Sequence, residues 1–231
     1  MTKTFPGQVR TRNPAEREPD LTSIVVIHRA MRSDLGRLTD VLGAARARDV
    51  AAARAIGRYA AALFTEIRHH HHSEDAIVWP IIAAAAGACV DLTPLSDDHE
   101  ALDGMLDRAA RALADLGDAP PVHISDLHAC ALDLRDLLDE HIAEEEEQIL
   151  PVMRRYVPAG AYAWCEKQIQ HEATPARLVF AVPWLARFAE PGELRRLLAA
   201  GGWPARFVLA AARPRYRRLE RRAFGGLASR A

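Results

Sequence analysis

The feature that most constrains the fold of this chain is an internal repeat. The triplet Asp20-Leu21-Thr22 recurs 71 positions later as Asp91-Leu92-Thr93. Without a gap, the same offset pairs residues of less common types, namely His28 with His99, His70 with His141, Glu74 with Glu145 and Pro80 with Pro151. A register that matches histidine, glutamate and proline together is hard to obtain by chance in an alanine-rich sequence. We therefore interpret segments 20–80 and 91–151 as two copies of one helical hairpin.

Apolar residues in both copies recur at alternating spacings of three and four, which is the period of an amphipathic helix. Met31, Leu35 and Leu38 share one such stripe, and the second copy repeats the pattern around Leu102 and Leu106. Two hairpins supply four amphipathic helices, and short connections favour antiparallel neighbours. The sequence predicts an all-α protein with an up-down-up-down four-helix bundle over residues 20–155, preceded by a flexible tail over residues 1–19.

Helix boundaries are also signalled. Thr22 or Ser23 and Thr93 are suited to cap the first and third helices. Pro80 and Pro151 each lie six residues after the glutamate of their copy. Because proline lacks an amide hydrogen and its ring clashes with the preceding turn, each is expected to kink or end its helix just beyond that glutamate.

Six residues of metal-ligand type lie on the apolar stripes of these helices: His28, His70, Glu74, His99, His141 and Glu145. An unpaired ionisable group in the core is costly or loses its charge, so something must compensate for these six. The spacing His-x-x-x-Glu places both side chains on one helix face, one turn apart. Four imidazoles and two carboxylates directed into one bundle predict a site for two cations that the carboxylates can bridge. A polar network without metal is the alternative.

Residues 69–72 are four consecutive histidines, which leaves the register of the second helix open. Successive helical residues turn by about 100°, so we expect only one of the four to face the bundle axis. The repeat and the spacing to Glu74 select His70. His71 paired with Asp75 is the competing register.

The order His, His-x-x-x-Glu, His, His-x-x-x-Glu over four helices resembles the haemerythrin-like (HHE cation-binding) domain family. The segments HHHSEDAIVWP (70–80) and DEHIAEEEEQILP (139–151) are typical of its bacterial members. The resemblance implies a non-haem centre of two bridged iron ions that binds O2 or a related small molecule. It also implies a role for each of the six residues: His28, His70, His99 and His141 as terminal ligands, and Glu74 and Glu145 as bridges.

The resemblance fails at one position of the third helix. Oxygen-carrying haemerythrins have a fifth histidine there, in a His-x-x-x-His pair, whereas this chain has Leu95 four residues before His99 and Asp103 four residues after it. Asp103, water or another side chain would then replace one imidazole, and Tyr59 and Glu66 are further candidates that are more simply explained as packing or surface residues. Oxygen donors stabilise the harder ferric ion, which argues against reversible oxygen carriage.

The function expected from the resemblance is that of a di-iron protein that binds, senses or detoxifies O2, nitric oxide or peroxide. A peroxidase or oxidase with the same iron pair is the main alternative, and an iron-storage or iron-sensing module is a third. Redox catalysis needs a proton relay as well as an open metal position, and the sequence identifies no second acid or base for that purpose. Whether the protein is an enzyme is therefore left open.

The composition argues against several classes of partner, site and location. The formal net charge of −1 gives no reason to expect a nucleic acid partner. Cys89, Cys130 and Cys165 are an odd number without a close pair, which argues against a disulfide framework or a zinc ribbon. The sequence shows neither the apolar core of a signal peptide nor a long apolar segment, so a cytoplasmic location is expected.

Residues 156–231 lie beyond the repeat and are predicted to form helices broken by prolines. This segment holds three of the four tryptophans and ends in an arginine-rich stretch. We interpret it as a helical extension that packs against the bundle or covers one end of it. A partner-binding or membrane-surface module is the alternative, so membrane contact, although not expected, stays open for this segment. The oligomeric state is not predicted.

Overall fold

The structure, a computed structural model, describes residues 7–44, 50–115 and 122–225. The helices in these ranges are α1 (Thr22–Ala44), α2 (Val50–Ser73), α3 (Trp79–Ala86), α4 (Thr93–Asp115), α5 (Val122–Glu144), α6 (Leu150–Tyr156), α7 (Ala159–Glu172), α8 (Pro175–Phe188), α9 (Pro191–Ala200) and α10 (Gly202–Phe224). Because these ranges contain helices and no strand, the predicted all-α class is confirmed. None of these helices is both long enough and apolar enough to cross a membrane.

Four long helices enclose the main core. α1 packs against α5 and α2, and α4 packs against the same two helices. The core between them includes Leu35, Leu63, Leu106 and Leu134, each fully buried. These leucines form two pairs with the 71-residue offset, so the two copies contribute equivalent positions to one core.

The helix starts depend on aspartates rather than on the threonines expected to cap them. The Asp20 side chain accepts a hydrogen bond from the backbone N–H of Thr22 at 3.1 Å, and Asp91 accepts one from Thr93 at 3.0 Å. A carboxylate suits this position because the first amide hydrogens of a helix lack partners and carry partial positive charge. Ser23 instead donates to Glu166 of α7.

Each proline was expected to kink or end its helix, and in the structure the chain stays helical through both prolines. After each glutamate comes one π-helical turn, Glu74–Val78 in the first copy and Glu145–Ile149 in the second, and the chain then continues as α3 or α6. The N–H of Trp79 bonds to the carbonyl of Glu74 in the first turn. A wide turn moves aside the carbonyl with which a proline ring clashes in a regular α-helix, so Pro80 and Pro151 are accommodated.

The C-terminal helices pack on the first hairpin. α8 and α10 both contact α1 and α2. At this junction the fully buried carboxylate of Asp34 accepts hydrogen bonds from the Tyr59 hydroxyl at 2.5 Å and the Trp184 indole N–H at 2.8 Å. The Tyr216 hydroxyl lies 2.8 Å from that of Tyr59. Since Tyr59 has one hydroxyl hydrogen and gives it to Asp34, Tyr216 is the donor of this bond.

The N-terminal segment, expected to be a flexible tail, is attached to the bundle from residue 11 onward. Thr11 donates through its hydroxyl to the carbonyl of Ala85 at 2.8 Å, and the N–H of Arg12 donates to the carbonyl of Tyr156 at 2.7 Å. The Arg12 side chain is buried. These bonds hold the segment against the ends of α3 and α6. Residues 1–6 of the predicted tail lie outside the described residues.

Candidate metal centre

Seven ionisable side chains meet inside the bundle in two groups. The first, which we call the two-histidine group, consists of His28, His70, Glu74 and Glu145, and the second, the three-histidine group, consists of His71, His99 and His141. Within each group the candidate ligand atoms all lie within 4.8 Å of one another, and no member of either group is more than 8% exposed. The structure thus brings together all six residues predicted from the sequence and adds His71.

Each long helix of the bundle contributes to this cluster. His28 comes from α1, His99 from α4 and His141 from α5, while α2 provides two adjacent histidines. Glu74 and Glu145 are the first residues of the two π-helical turns. Single π-helical turns inside α-helices occur frequently at functional sites, so their coincidence with both glutamates marks this part of the bundle.

Each glutamate directs one oxygen toward the histidines of the two-histidine group and the other toward those of the three-histidine group. Glu74 has Oε1 at 3.3 Å from the Nε2 atom of His70 and Oε2 at 3.7 Å from that of His99. Glu145 has Oε2 at 3.3 Å from the Nε2 atom of His28 and Oε1 at 3.5 Å from that of His141. This is the arrangement that two bridging carboxylates need.

The imidazole nitrogens are paired within each group. The Nε2 atoms of His28 and His70 lie 3.1 Å apart, and so do those of His99 and His141. Two nitrogen ligands that bind one ion at about 2.1 Å and at a right angle are separated by about 3.0 Å. Both pairs therefore have the spacing of neighbouring ligands on one ion.

Carboxylates outside the cluster fix the orientation of three imidazoles. The Nδ1 atoms of these rings face Asp75 Oδ2 at 2.9 Å in His99, Glu146 Oε1 at 3.2 Å in His28 and Asp98 Oδ2 at 3.4 Å in His141. An ionised carboxylate only accepts, so Nδ1 carries the hydrogen and Nε2 of the neutral ring keeps a lone pair. His99 and His141 then direct two lone pairs at each other across 3.1 Å, which a cation between them would stabilise.

The remaining polar atoms fit a metal as well. Both carboxylate oxygens of Glu74 and of Glu145 and both ring nitrogens of His71 are buried without a hydrogen-bond partner. Buried polar groups without partners are costly and rare in folded proteins. Ligation of metal explains five of these atoms, the four glutamate oxygens and one nitrogen of His71, because each residue offers one ligand atom or one bridging carboxylate. The residues therefore fit a pair of metal ions.

The two glutamates differ in their electrostatics. Burial, together with the nearby charge of Glu145, raises the pKa of Glu74. Burial acts in the same direction on Glu145, but hydrogen bonds from protonated His141 and His28 and the charge of these rings outweigh it and lower its pKa. Against the effect of burial, Glu145 in turn raises the pKa of both histidines, so a metal ion would bind there in place of protons. Burial also lowers the pKa of His70 and His71, which keeps these rings neutral and able to bind a cation.

The expectation that only one of the four consecutive histidines faces the bundle axis is wrong. His70 and His71 are both buried, and the ring of His71 stacks on that of His99 with centroids 4.5 Å apart. Side chains about 100° apart can both face inward because the cluster has two groups side by side, one for each ring. His69 is half-buried and His72 is exposed. Asp75, the proposed partner of His71 in the competing register, orients His99 instead.

A signal for His71 was present in the sequence. The position equivalent to His71 in the second copy is Ile142, an apolar residue that the structure buries completely. An isoleucine at that register position indicates that the position faces the interior. The histidine of the first copy must then face the interior too.

The candidates for the missing imidazole lie elsewhere. Asp103 is half exposed and faces Arg68 at 3.7 Å. Tyr59 bonds to Asp34, and both oxygens of Glu66 accept from the Nε atom of Arg177 at 3.0 Å. Of the three replacements left open by the sequence, Asp103, water or another side chain, the structure places the imidazole of His71 from α2 beside His99 and His141.

Comparison with known proteins gives one match. The family model described as "Hemerythrin HHE cation binding domain" matches residues 21–153. This range includes all seven residues of the two groups. No curated protein and no solved structure matches the chain.

Proposed function

The chain belongs to the haemerythrin HHE cation-binding domain family, and on that premise we propose that it holds a pair of iron ions with which it binds, senses or detoxifies O2, nitric oxide or peroxide. The observation that carries the proposal is that Glu74 and Glu145 each direct one oxygen toward each histidine group. We also propose that the four long helices run in the up-down-up-down order expected from the sequence.

Under this proposal the donors divide into two sets. His28 and His70 would hold one ion, the three-histidine group would hold the other, and both glutamates could bridge them. Imidazole and carboxylate donors suit several divalent metals, so the donors support a metal pair and family membership supports iron. An iron pair supplies the electrons that binding or reduction of O2, nitric oxide or peroxide requires.

The surrounding residues limit what can react there. The cluster is almost completely buried, and its most exposed member, His70, is 8% exposed, so only a small molecule can enter. The two-histidine group offers one imidazole fewer than the other. Its ion would therefore have one more coordination position open to such a molecule. Asp75, Glu146 and Asp98 keep hydrogens at Nδ1 and thereby keep the Nε2 lone pairs directed inward.

A row of hydrogen-bonded side chains beside the site favours a second candidate function, a peroxide-reducing enzyme. The half-buried carboxylate of Glu166 accepts from Ser23 Oγ at 2.6 Å, and this hydroxyl lies 3.3 Å from that of Tyr162. Burial chiefly raises the pKa of Tyr162, with smaller contributions from the charges of Glu166 and Glu74. The Glu74 oxygens accept no hydrogen bond from a described residue, so this row of exchangeable hydrogens ends at Tyr162. A proton donor beside the site is what proton delivery to peroxide requires.

Metal analysis of the protein expressed in iron-replete medium tests the proposal. We expect about two iron ions per chain, as in other bundles with carboxylate-bridged metal pairs, and an unchanged content in the control variant His72→Ala. A single tightly held zinc ion, or no metal, would overturn the proposal.

Mixing the anaerobically reduced protein with O2, nitric oxide or hydrogen peroxide then separates the two candidates. Stoichiometric binding without turnover supports a binding or sensing role. Turnover of peroxide with an added electron donor, which supplies the two electrons that each peroxide consumes, supports the enzyme if it falls in Tyr162→Phe with iron content unchanged.

A further inference from the structure

Large apolar side chains that face solvent are concentrated in the C-terminal extension. Among the described residues, those exposed are Val179 at 39%, Trp203 at 78% and Phe207 at 67%. Trp203 and Phe207 lie four residues apart on α10, so both project from one face of that helix. Two neighbouring aromatic side chains that are mostly exposed mark an interaction site more strongly than scattered single residues do.

This pair points away from the bundle. The buried residues of α10 include Ala212 and Tyr216, which lie on the opposite side of the helix from Trp203 at about 100° per residue. The preceding helix, α9, has no buried residue. The segment AAGGWPARF (199–207) joins the two helices and contains no acidic residue. We call this segment the α9–α10 corner.

The helix that follows the corner is strongly basic. α10 contains seven arginines and one glutamate, whereas the whole chain has a formal net charge of −1. Arg217, Arg218 and Arg221 are exposed, lie on the same side of α10 as Trp203 and Phe207, and make no ion pair with a described residue. The outer face of α10 is therefore aromatic at its N-terminal end and cationic at its C-terminal end.

We propose that the α9–α10 corner and the outer face of α10 dock on an anionic lipid surface. Trp203 and Phe207 enter the headgroup region, where aromatic side chains are favoured. The arginines contact lipid phosphates, to which the guanidinium fork is matched. The docking uses no residue of the metal centre and does not depend on the metal.

A second copy of the chain fits this surface less well. Two aromatic side chains bury on the order of 150–250 Å² each, whereas a stable interface needs about 800 Å² from each partner. A symmetric dimer would also place the patch against itself and bring arginines face to face. A lipid surface needs no matching partner area and supplies negative charge.

Vesicle binding tests the proposal on the full-length, iron-loaded protein. We expect flotation with vesicles of phosphatidylcholine and phosphatidylglycerol, weakened by added salt, and little with phosphatidylcholine alone. Trp203 reports on insertion because Trp79 and Trp184 are buried and Trp164 is half-buried. Its emission should shift to the blue and become protected from acrylamide when anionic vesicles are added.

Three variants separate the two parts of the surface. Trp203→Ser with Phe207→Ser should weaken partitioning about 100-fold, from the loss of two interfacial aromatic side chains. Arg218→Gln with Arg221→Gln should weaken it about 30-fold. Val179→Ser, which removes an exposed apolar side chain from α8, should leave partitioning unchanged. All three change exposed residues, and the iron content checks that each still folds.

Several results would overturn the proposal. One is that the protein does not bind anionic vesicles, and another is that it binds neutral vesicles equally well. A third is that Val179→Ser loses binding while the other two variants keep it. Concentration-dependent dimerisation that Trp203→Ser abolishes, without vesicle binding, would assign the surface to a second copy. Binding of nucleic acid that needs the arginines but not the aromatic pair would overturn it in favour of another polyanion.

Discussion

Helix α1 of the first hairpin runs from Thr22 to Ala44, and helix α4 of the second runs from Thr93 to Asp115, each bound displaced by 71 residues. The glutamates and their π-helical turns follow the same displacement. Even the outer carboxylates do so, because Asp75 of the first hairpin orients His99 of the second, and Glu146 of the second orients His28 of the first. Each hairpin thus supplies a carboxylate that orients a histidine ring of the other hairpin. Neither hairpin forms the centre alone.

The two hairpins differ at one interior position that matters for the site. His71 in the first corresponds to Ile142 in the second, and both are buried. A symmetric pair of hairpins would give two equal groups of two histidines. The histidine at position 71 makes them unequal, so under the proposed function a small ligand would meet two different metal positions.

Substitution of the two equivalent glutamates, at which the hairpins are most alike, is expected to have the largest effect on metal content. Glu74→Ala and Glu145→Ala should each lose both metals, since each carboxylate serves both groups. Loss of an outer-shell partner alone costs about 10–100-fold in metal affinity, and removal of a bridging ligand should cost more. Metal analysis checks the result, with Glu147→Ala, an exposed neighbour, as the control that retains metal. Retention of one ion in either variant would show that its glutamate serves only one group.

A smaller effect is expected where the hairpins differ. His71→Ile copies the residue of the second hairpin into the first, and should lower the iron content from about two ions per chain toward about one, because the three-histidine group loses a donor. Ile142→Val, at the equivalent position, should cost about 0.5–1.5 kcal/mol of stability and no iron. If His71→Ile kept both ions, His71 would be a packing residue and the asymmetry of the cluster would have no role in binding.

The hairpins also differ in the side chains that form hydrogen bonds to the C-terminal extension. Asp34, Tyr59 and Glu66 of the first hairpin bond to side chains of α8 and α10, and the second hairpin has Met105, Cys130 and Leu137 at those positions. A buried carboxylate is tolerated at Asp34 because Tyr59, Trp184 and Arg37 all donate to it. The extension therefore belongs to one side of a duplicated bundle.

Tyr59→Phe tests that attachment. Loss of the hydroxyl removes one hydrogen bond from Asp34 and the acceptor for Tyr216, which should lower the free energy of unfolding by about 1.5–3 kcal/mol. Urea denaturation measures the change. Tyr156→Phe is the matched control, since the half-buried Tyr156 hydroxyl has no hydrogen bond among the described residues, and should change stability little. Equal losses in the two variants would mean that the Asp34 cluster does not hold the extension.

The repeat predicted much of this arrangement, because ligand spacing and apolar period repeat together and leave few ways to fold. It did not predict the π-helical turns, since proline indicates a disturbed helix without saying whether the chain ends, kinks or widens. It also did not predict the attachment of the extension to the first hairpin. That depends on Asp34, a single charged residue within an apolar stripe, whose partners are 25 and 150 residues away in sequence.

The smallest effect is expected at the position where the resemblance to oxygen carriers first failed. Asp103→His places a histidine four residues after His99, as in those proteins, yet the Asp103 side chain is half exposed and faces Arg68 rather than the cluster. A histidine there would lie about as far from the three-histidine group as the Asp103 side chain does. That group already has a third imidazole, from α2. We therefore expect unchanged iron content and a loss of stability of only about 0–1 kcal/mol, as for other exposed ion pairs. Metal analysis and urea denaturation of Asp103→His and of the double variant Asp103→His with His71→Ile decide the question. Restoration of the lost iron in the double variant would show that α4 can supply the imidazole after all, and that the two hairpins are interchangeable as sources of the fifth histidine.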